Sequence, residues 1–209
     1  MTRIVAVIPV KSFARAKTRL AGSLDAPARA ALARGMASDV INAARQARGV
    51  ETVYALASDP RTAEWAAHRR ATPLAEGRRA SLSRVIARAI DVLAARGADV
   101  VIYLASDLPG LTHADIEQLL DAHRGGLTVA AARRDGGTNA FVCDTPRPIS
   151  FAFGPGSAAR HLARARVAGL RATRVNLPAF SRDIDTAADL AVLRSRPRAR
   201  RAAAIQEES

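Results

Sequence analysis

Residues 3–20 read RIVAVIPVKSFARAKTRL, a β-branched run that passes without a glycine into a loop carrying four cations. From Arg3 to Pro9 the run lacks polar alternation, so both of its faces must be covered, as in a strand inside a parallel sheet. Similar runs predict buried strands at Thr52 to Ala57, Asp99 to Ala105 and Thr128 to Ala132, with fainter patterns at Ala140 to Cys143 and Ala172 to Leu177. Helical patterns separate them. Leu32, Met36, Val40 and Ala44 recur every four residues on a segment that Asp25 can cap, and Leu82, Val85, Ile86, Ala89, Ile90 and Leu93 trace one apolar face. Thr112 with Asp115 and Thr186 with Asp189 are acidic relatives of the capping box, and Gly169 ends a helix from Ser157 to Ala168. Strands alternating with helices predict an α/β fold: one domain over residues 1–195 with a mainly parallel, doubly wound sheet, followed by a basic-then-acidic tail at 196–209 with little to bury, expected to be disordered. Ligands of such sheets bind beyond the carboxyl ends of the strands, so the loops there carry the chemistry.

Composition narrows the partners. The longest apolar runs are far shorter than the roughly 20 residues that span a bilayer, so no membrane role is expected. A lone cysteine, Cys143, forms no internal disulfide, and the cytoplasm is the default compartment. The net charge of +13 fits either a surface solubilised by arginine or an anionic partner. Aromatic residues make up only 4% and none interleave with the cations as stacking platforms, which argues against nucleic acid and for a small polyphosphate. Of the 32 basic residues only Lys11 and Lys17 are lysines, and both lie in the first loop. A compact ammonium suits a phosphate oxygen or a bridging position; two chance lysines on a solvated turn are the alternative.

The loop from Lys11 to Leu20 gathers Lys11, Arg15, Lys17 and Arg19, charges that repel one another unless anions or water accompany them. The glycines and the Gly-Lys-Ser/Thr signature of a P-loop are missing, so phosphates would be held by side chains. Asp107 follows a strand that reads as central, where a carboxylate is costly unless paired or metal-bound. Asp183 and Asp185 precede the last helix and share one side of an extended segment. Were Asp107 and Asp185 to converge to about 4 Å, they would repel by roughly 4 kcal/mol at an effective dielectric near 20, and a divalent cation would reverse that sign. Mg²⁺ is the natural ion for carboxylates and phosphates, although either aspartate could simply start a helix. Asp135-Gly136-Gly137-Thr138-Asn139 reads as a tight turn between strands, and Phe153-Gly154-Pro155-Gly156-Ser157 leads into a helix whose free N–H groups and Ser157 hydroxyl would form an anion site. The four histidines, His68, His113, His123 and His161, lack metal-ligand spacing and read as structural.

The motifs KSFARAKTRL, SDLPGLT, DGGTNA, FGPGSAARHL and DIDTAADL, in that order between Arg3 and about Leu193, resemble the 2-phospho-L-lactate guanylyltransferase family. The resemblance implies a nucleotide-diphospho-sugar transferase-like fold and a role in making the deazaflavin coenzyme F-420. It implies GTP and a small phosphorylated acid as substrates: 2-phospho-L-lactate, phosphoenolpyruvate or 3-phospho-D-glycerate. It also suggests a homodimer. By motif, Asp107 and Asp185 would hold Mg²⁺, Thr138, Gly154 and Ser157 would bind the acid, and Lys11, Arg15, Lys17 and Arg19 would bind the GTP phosphates. Ser81-Leu82-Ser83 stands where the family pattern has a Gly or Pro followed by Leu-Asn, so Ser83 is a shorter nucleotide contact than asparagine. A molybdopterin or sugar-phosphate nucleotidyltransferase of the same fold, and a noncatalytic basic module that binds RNA or DNA, are the alternatives.

Overall fold

Seven strands form one sheet in the order β3-β2-β1-β4-β6-β5-β7. The computed structural model describes residues 2–75, 80–181, 183, 184 and 186–194, with the backbone alone at 15 and 192–194. The strands are β1 (Ile4–Val10), β2 (Val50–Ala57), β3 (Thr72–Ala75), β4 (Val100–Leu104), β5 (Leu127–Ala131), β6 (Thr138–Asp144) and β7 (Ala172–Val175). All pairings are parallel except those of β6, which runs antiparallel to both β4 and β5. This is the doubly wound, mainly parallel sheet that the alternating pattern predicts. Strand β6 departs because it follows β5 by a hairpin, whose turn is closed by Ala132 N–H to Gly137 O at 2.9 Å and Gly136 N–H to Ala132 O at 3.1 Å. A reversal needs only a few residues, whereas a parallel neighbour needs a crossover. The short β3 was missing from the sequence reading, since its four residues TPLA are largely exposed and begin beside a proline.

The helices are α1 (Ala26–Gln46), α2 (Pro60–His68), α3 (Leu82–Ala95), α4 (His113–Asp121), α5 (Ser157–Val167) and α6 (Ala187–Arg194). Alternate residues of β1 divide the core. Ala6, Ile8 and Val10 pack with Val40 and Ile41 of α1, Ala66 of α2 and Leu119 of α4, while Val5 and Val7 pack with Ile86 and Ile90 of α3 and Leu162 of α5. The expected caps form: Asp25 accepts from Ala28 N–H at 2.8 Å, Thr112 and Asp115 close a reciprocal box, and Thr186 and Asp189 bond each other's backbone N–H groups.

Sheet register places the loops. Val7 is level with Tyr103 of β4, so continuing three or four residues brings Val10 and Lys11 level with Ser106 and Asp107. Antiparallel β6 starts at this same edge, with Leu104 opposite Ala140 and the Ala105 N–H bonded to Asn139 O at 2.8 Å. From β1 the chain first builds toward β2 and β3, then returns to β4 on the other side. The crevice between β1 and β4 is therefore the topological switch point of the sheet.

Candidate active site

A cleft of about 650 Å³ opens at that switch point, lined by Lys11, Lys17, Arg19, Ser58, Leu82, Tyr103 and Asp107. Its floor is apolar and its rim cationic, a form suited to a nucleotide whose base is buried and whose phosphates meet the rim. Phe13 anchors the basic loop from inside. Its buried ring meets Trp65 of α2 edge-on at 4.7 Å, with the Arg34 guanidinium 5.4 Å from its centroid, and Arg69 stacks on Trp65 at 4.1 Å. The sequence reading passed over Phe13, although an aromatic inside a charged loop is a signal for such an anchor. With Phe13 pinned, the cations stand on a fixed base.

Lys17 adopts the left-handed conformation, φ 52° and ψ 42°, which a side chain with a Cβ rarely takes. Such a backbone costs on the order of 1–3 kcal/mol and persists where surrounding structure holds it. Here it starts a tight turn over Thr18–Leu20 and delivers Nζ to Asp107 Oδ2 at 2.6 Å. The pair is largely sheltered, with side-chain exposures of 10% for Lys17 and 27% for Asp107. Burial, and then the charge of Asp107, push the Tyr103 phenol far above its ordinary pKa, so it is a neutral wall of the cleft. Lys11 and Arg19 are exposed on the rim, and the side chain of Arg15 lies outside the described residues.

Of the acidic pair expected before α6, Asp185 lies outside the described residues. Its neighbour Ile184 is buried against Leu20, at the end of the basic loop, and Met36 of α1. Asp183 is 3.8 Å from Arg134, which also reaches Asp189 at 3.9 Å. Among the described residues no three His, Cys, Asp or Glu side chains gather as a metal cage. Asp107 nonetheless fits a metal shared with a substrate, because Mg²⁺ is commonly held by one or two carboxylates plus substrate phosphates.

The second loop group is built differently. Gly136 and Gly156 both have positive φ, 66° and 68°, and their backbones are stitched by Gly156 N–H to Asp135 O at 2.8 Å and Ala158 N–H to Gly136 O at 3.1 Å. Ser157 N–H is likewise bonded to Gly154 O at 3.0 Å. The expectation of free N–H groups at the start of α5 is thereby corrected: those of residues 156, 157 and 158 serve the hairpin and the loop itself, because the β5–β6 turn packs directly on the helix start. Among the described residues the Gly154 N–H finds no acceptor, and its φ of 117° suits only glycine.

Thr138 and Ser157 are brought together, Oγ1 to Oγ at 2.9 Å, and both are buried. Ser83, expected on the nucleotide, accepts the Phe153 N–H at 3.1 Å and so ties the first turn of α3 to the Phe151–Gly156 loop. Beneath them Phe141 stacks on Phe151 and Tyr103, at 4.5 and 5.1 Å, and makes a rigid aromatic floor. His123 lies outside this region, held between Thr128 and Asp144 at 3.0 Å each, a structural role as expected.

The mainly parallel α/β sheet has the nucleotide-diphospho-sugar transferase-like fold, and the cationic rim and carboxylate at its switch point suit the phosphates of a nucleotide. The solved structure of a protein from Desulfovibrio desulfuricans described as a nucleotide-diphospho-sugar transferase superposes with a TM-score of 0.77 over 92% of this chain and 87% of its own, at 18% identity. The chain belongs to the family described as guanylyl transferase CofC-like, which matches residues 4–195. Relatives include the phosphoenolpyruvate guanylyltransferase of Conexibacter woesei, 36% identical over 95% of this chain and 91% of that one. Another is the 2-phospho-L-lactate guanylyltransferase of Methanothermobacter thermautotrophicus, 35% identical over 88% and 81%.

Proposed function

We propose that residues 1–195 form one guanylyltransferase domain that transfers GMP from GTP to a three-carbon phosphorylated acid in the biosynthesis of the deazaflavin coenzyme, with phosphoenolpyruvate as the first acid to test. The observation that carries this reading is the pairing of a cationic cleft at the switch point with a buried, hydroxyl-bearing loop group at the same sheet edge. Family membership and the names of the relatives supply the guanine nucleotide and the class of acid.

In this reading a phosphate oxygen of the acid attacks the α-phosphorus of GTP, a new P–O–P linkage forms, and the bond to the β-phosphate breaks to release pyrophosphate. A phosphate monoester has a second pKa near 6 and is mostly dianionic at neutral pH, so no protein base is required. Of the histidines, His123 is engaged by Thr128 and Asp144 away from the cleft, and none is needed for proton transfer. Lys11, Lys17 and Arg19 neutralise the triphosphate and the departing pyrophosphate, with Arg15 proposed beside them. Lys17 is held by Asp107 before substrate arrives, which keeps its ammonium in place at the rim. Asp107, with Asp185 as the proposed partner, would hold Mg²⁺, which supplies Lewis-acid charge neutralisation and a template for the phosphates. Ser83, proposed on the nucleotide side, would link it to the acid loop through its bond to Phe153. Gly154 and Thr138 would face the acid with neutral donors and Ser157 would stand behind Thr138, which limits that side to small acids.

A pyrophosphate-release screen of GTP, ATP, CTP and UTP against phosphoenolpyruvate, 2-phospho-L-lactate, 3-phospho-D-glycerate and glucose 1-phosphate tests the proposal. Release with GTP and a three-carbon acid is expected. Preference for glucose 1-phosphate would move the protein to the sugar-phosphate branch.

A further inference from the structure

His161 of α5 is fully buried, and its ring meets Phe151 and Phe153 edge-on at 5.2 and 5.4 Å. The Ala152 N–H lies 2.9 Å from Nε2 and donates to it. Nε2 is therefore an acceptor, and in the neutral ring the proton sits on Nδ1, 3.1 Å from Thr138 Oγ1. That N–H is directed at Thr138. The Ser157 hydroxyl, with no exposed surface, also lies 2.9 Å from Thr138 Oγ1. A buried hydroxyl hydrogen needs an acceptor, and among the described residues the Ser157 hydroxyl has no other side-chain partner, so it too points at Thr138. Two donors fill the two lone pairs of Thr138 Oγ1, and its own hydrogen can only be donated.

We infer that His161 is a positioning residue which, together with Ser157, fixes the Thr138 hydroxyl as an obligate hydrogen-bond donor toward an oxygen of the phosphorylated acid. The inference rests on the assignment of Thr138 to the acid. Carboxylate and phosphate oxygens accept and never donate, so a hydroxyl that cannot accept is matched to them and mismatched to a ligand hydroxyl. In a site of low dielectric, donors aligned in one direction also polarise one another. The arrangement gives the acid side a directed dipole beside the Arg160 guanidinium, whose own donors are bonded to the Pro155 and Ala152 carbonyls. Thr138 is 7% exposed at the first position of β6, on the sheet edge that carries the cleft.

Two amide substitutions separate this role from simple support of the loop. The amide nitrogen of asparagine stands near the place of Nδ1 and restores a donor to Thr138, whereas the amide oxygen of glutamine stands near Nε2 and restores only the acceptor for Ala152. Steady-state kinetics with phosphoenolpyruvate and GTP varied in turn should show His161→Gln raising the KM for the acid about tenfold and leaving that for GTP within about twofold. His161→Asn should keep the acid KM within about threefold of the parent. The reverse order, or equal effects of both, would mean that His161 only supports the loop and would overturn the inference. Thermal unfolding identifies a variant that fails to fold; Ser157→Ala then serves, since removing one donor lets Thr138 accept and should raise the acid KM about threefold, and no rise overturns the inference. Thr138→Ala separates the two levels. If it leaves the acid KM unchanged, the assignment of Thr138 to the acid is wrong; if it raises that KM while His161→Gln does not, the assignment stands and the positioning role falls.

Discussion

The two groups of loops at the sheet edge are built by opposite means for the anions we propose they hold. The loop after β1 uses charge: exposed Lys11 and Arg19, and a Lys17 forced into a left-handed backbone to meet Asp107 at 2.6 Å. The group at Thr138 and Phe151–Ser157 relies instead on buried neutral groups, stitched by backbone hydrogen bonds and backed by stacked rings, with the Arg160 guanidinium bonded to the Pro155 and Ala152 carbonyls of its loop. A flexible tetra-anionic chain gains most from cations that follow it, whereas a small rigid acid gains most from donors already in place. Charge gives reach, and fixed hydrogen bonds give shape.

The contrast breaks most visibly at Asp107. Asp107→Asn keeps size and removes charge, so it should lower turnover by on the order of 10²–10³ while the protein stays folded, with the same result for Asp185→Asn. Turnover near that of the parent at saturating Mg²⁺, measured together with circular dichroism, would separate these carboxylates from the metal.

Lys17→Arg tests whether charge alone suffices in the first loop. The planar guanidinium cannot occupy the space of an ammonium held at 2.6 Å, and kcat/KM for GTP should fall about ten- to a hundredfold. Arg88→Lys, on the exposed face of α3, should change it less than twofold. Equal, small effects would reduce the two lysines to coincidence.

Acid exposes the opposite weakness. Burial, helped by Arg164 and Arg160, lowers the pKa of His161 to about 4 from an ordinary 6.5. Between those values the unfolded chain binds the proton that the folded chain refuses. The stability His161 contributes is therefore complete above pH 6.5 and lost as pH falls toward 4, by up to about 3 kcal/mol. Thermal unfolding across this window should show a downward slope toward acid that is shallower in His161→Asn; identical slopes would remove His161 from the acid response.

Salt should give the smallest separation. Raising ionic strength from about 0.05 to 0.5 M shortens the screening length several-fold, so the KM for GTP should rise a few-fold, more than that for the acid. A larger rise for the acid would show that the cations steer it instead, and the division between the two loop groups would not hold.

Much of the fold was legible in residues 3–20 and their echoes. Hydrophobic runs announced the buried strands, and the caps at Asp25, Thr112 and Thr186 formed where short polar side chains preceded apolar periodicity. These signals are local, so sequence carries them. Strand β3 was not legible because an exposed edge strand of four residues has no burial pattern to write.

The sequence by itself determined the class of sheet, the edge where chemistry gathers and the residue types available there, because hydrophobic period and connection length are properties of the chain alone. Only the tertiary structure decided what those residues do for one another. It paired Lys17 with Asp107 across 90 positions, spent the N–H groups at the start of α5 on the β5–β6 turn, and enclosed His161, Thr138 and Ser157 in one network. The physical reason is that hydrogen bonds and ion pairs depend on distances of a few tenths of an ångström between segments far apart in the chain, and packing alone sets those distances.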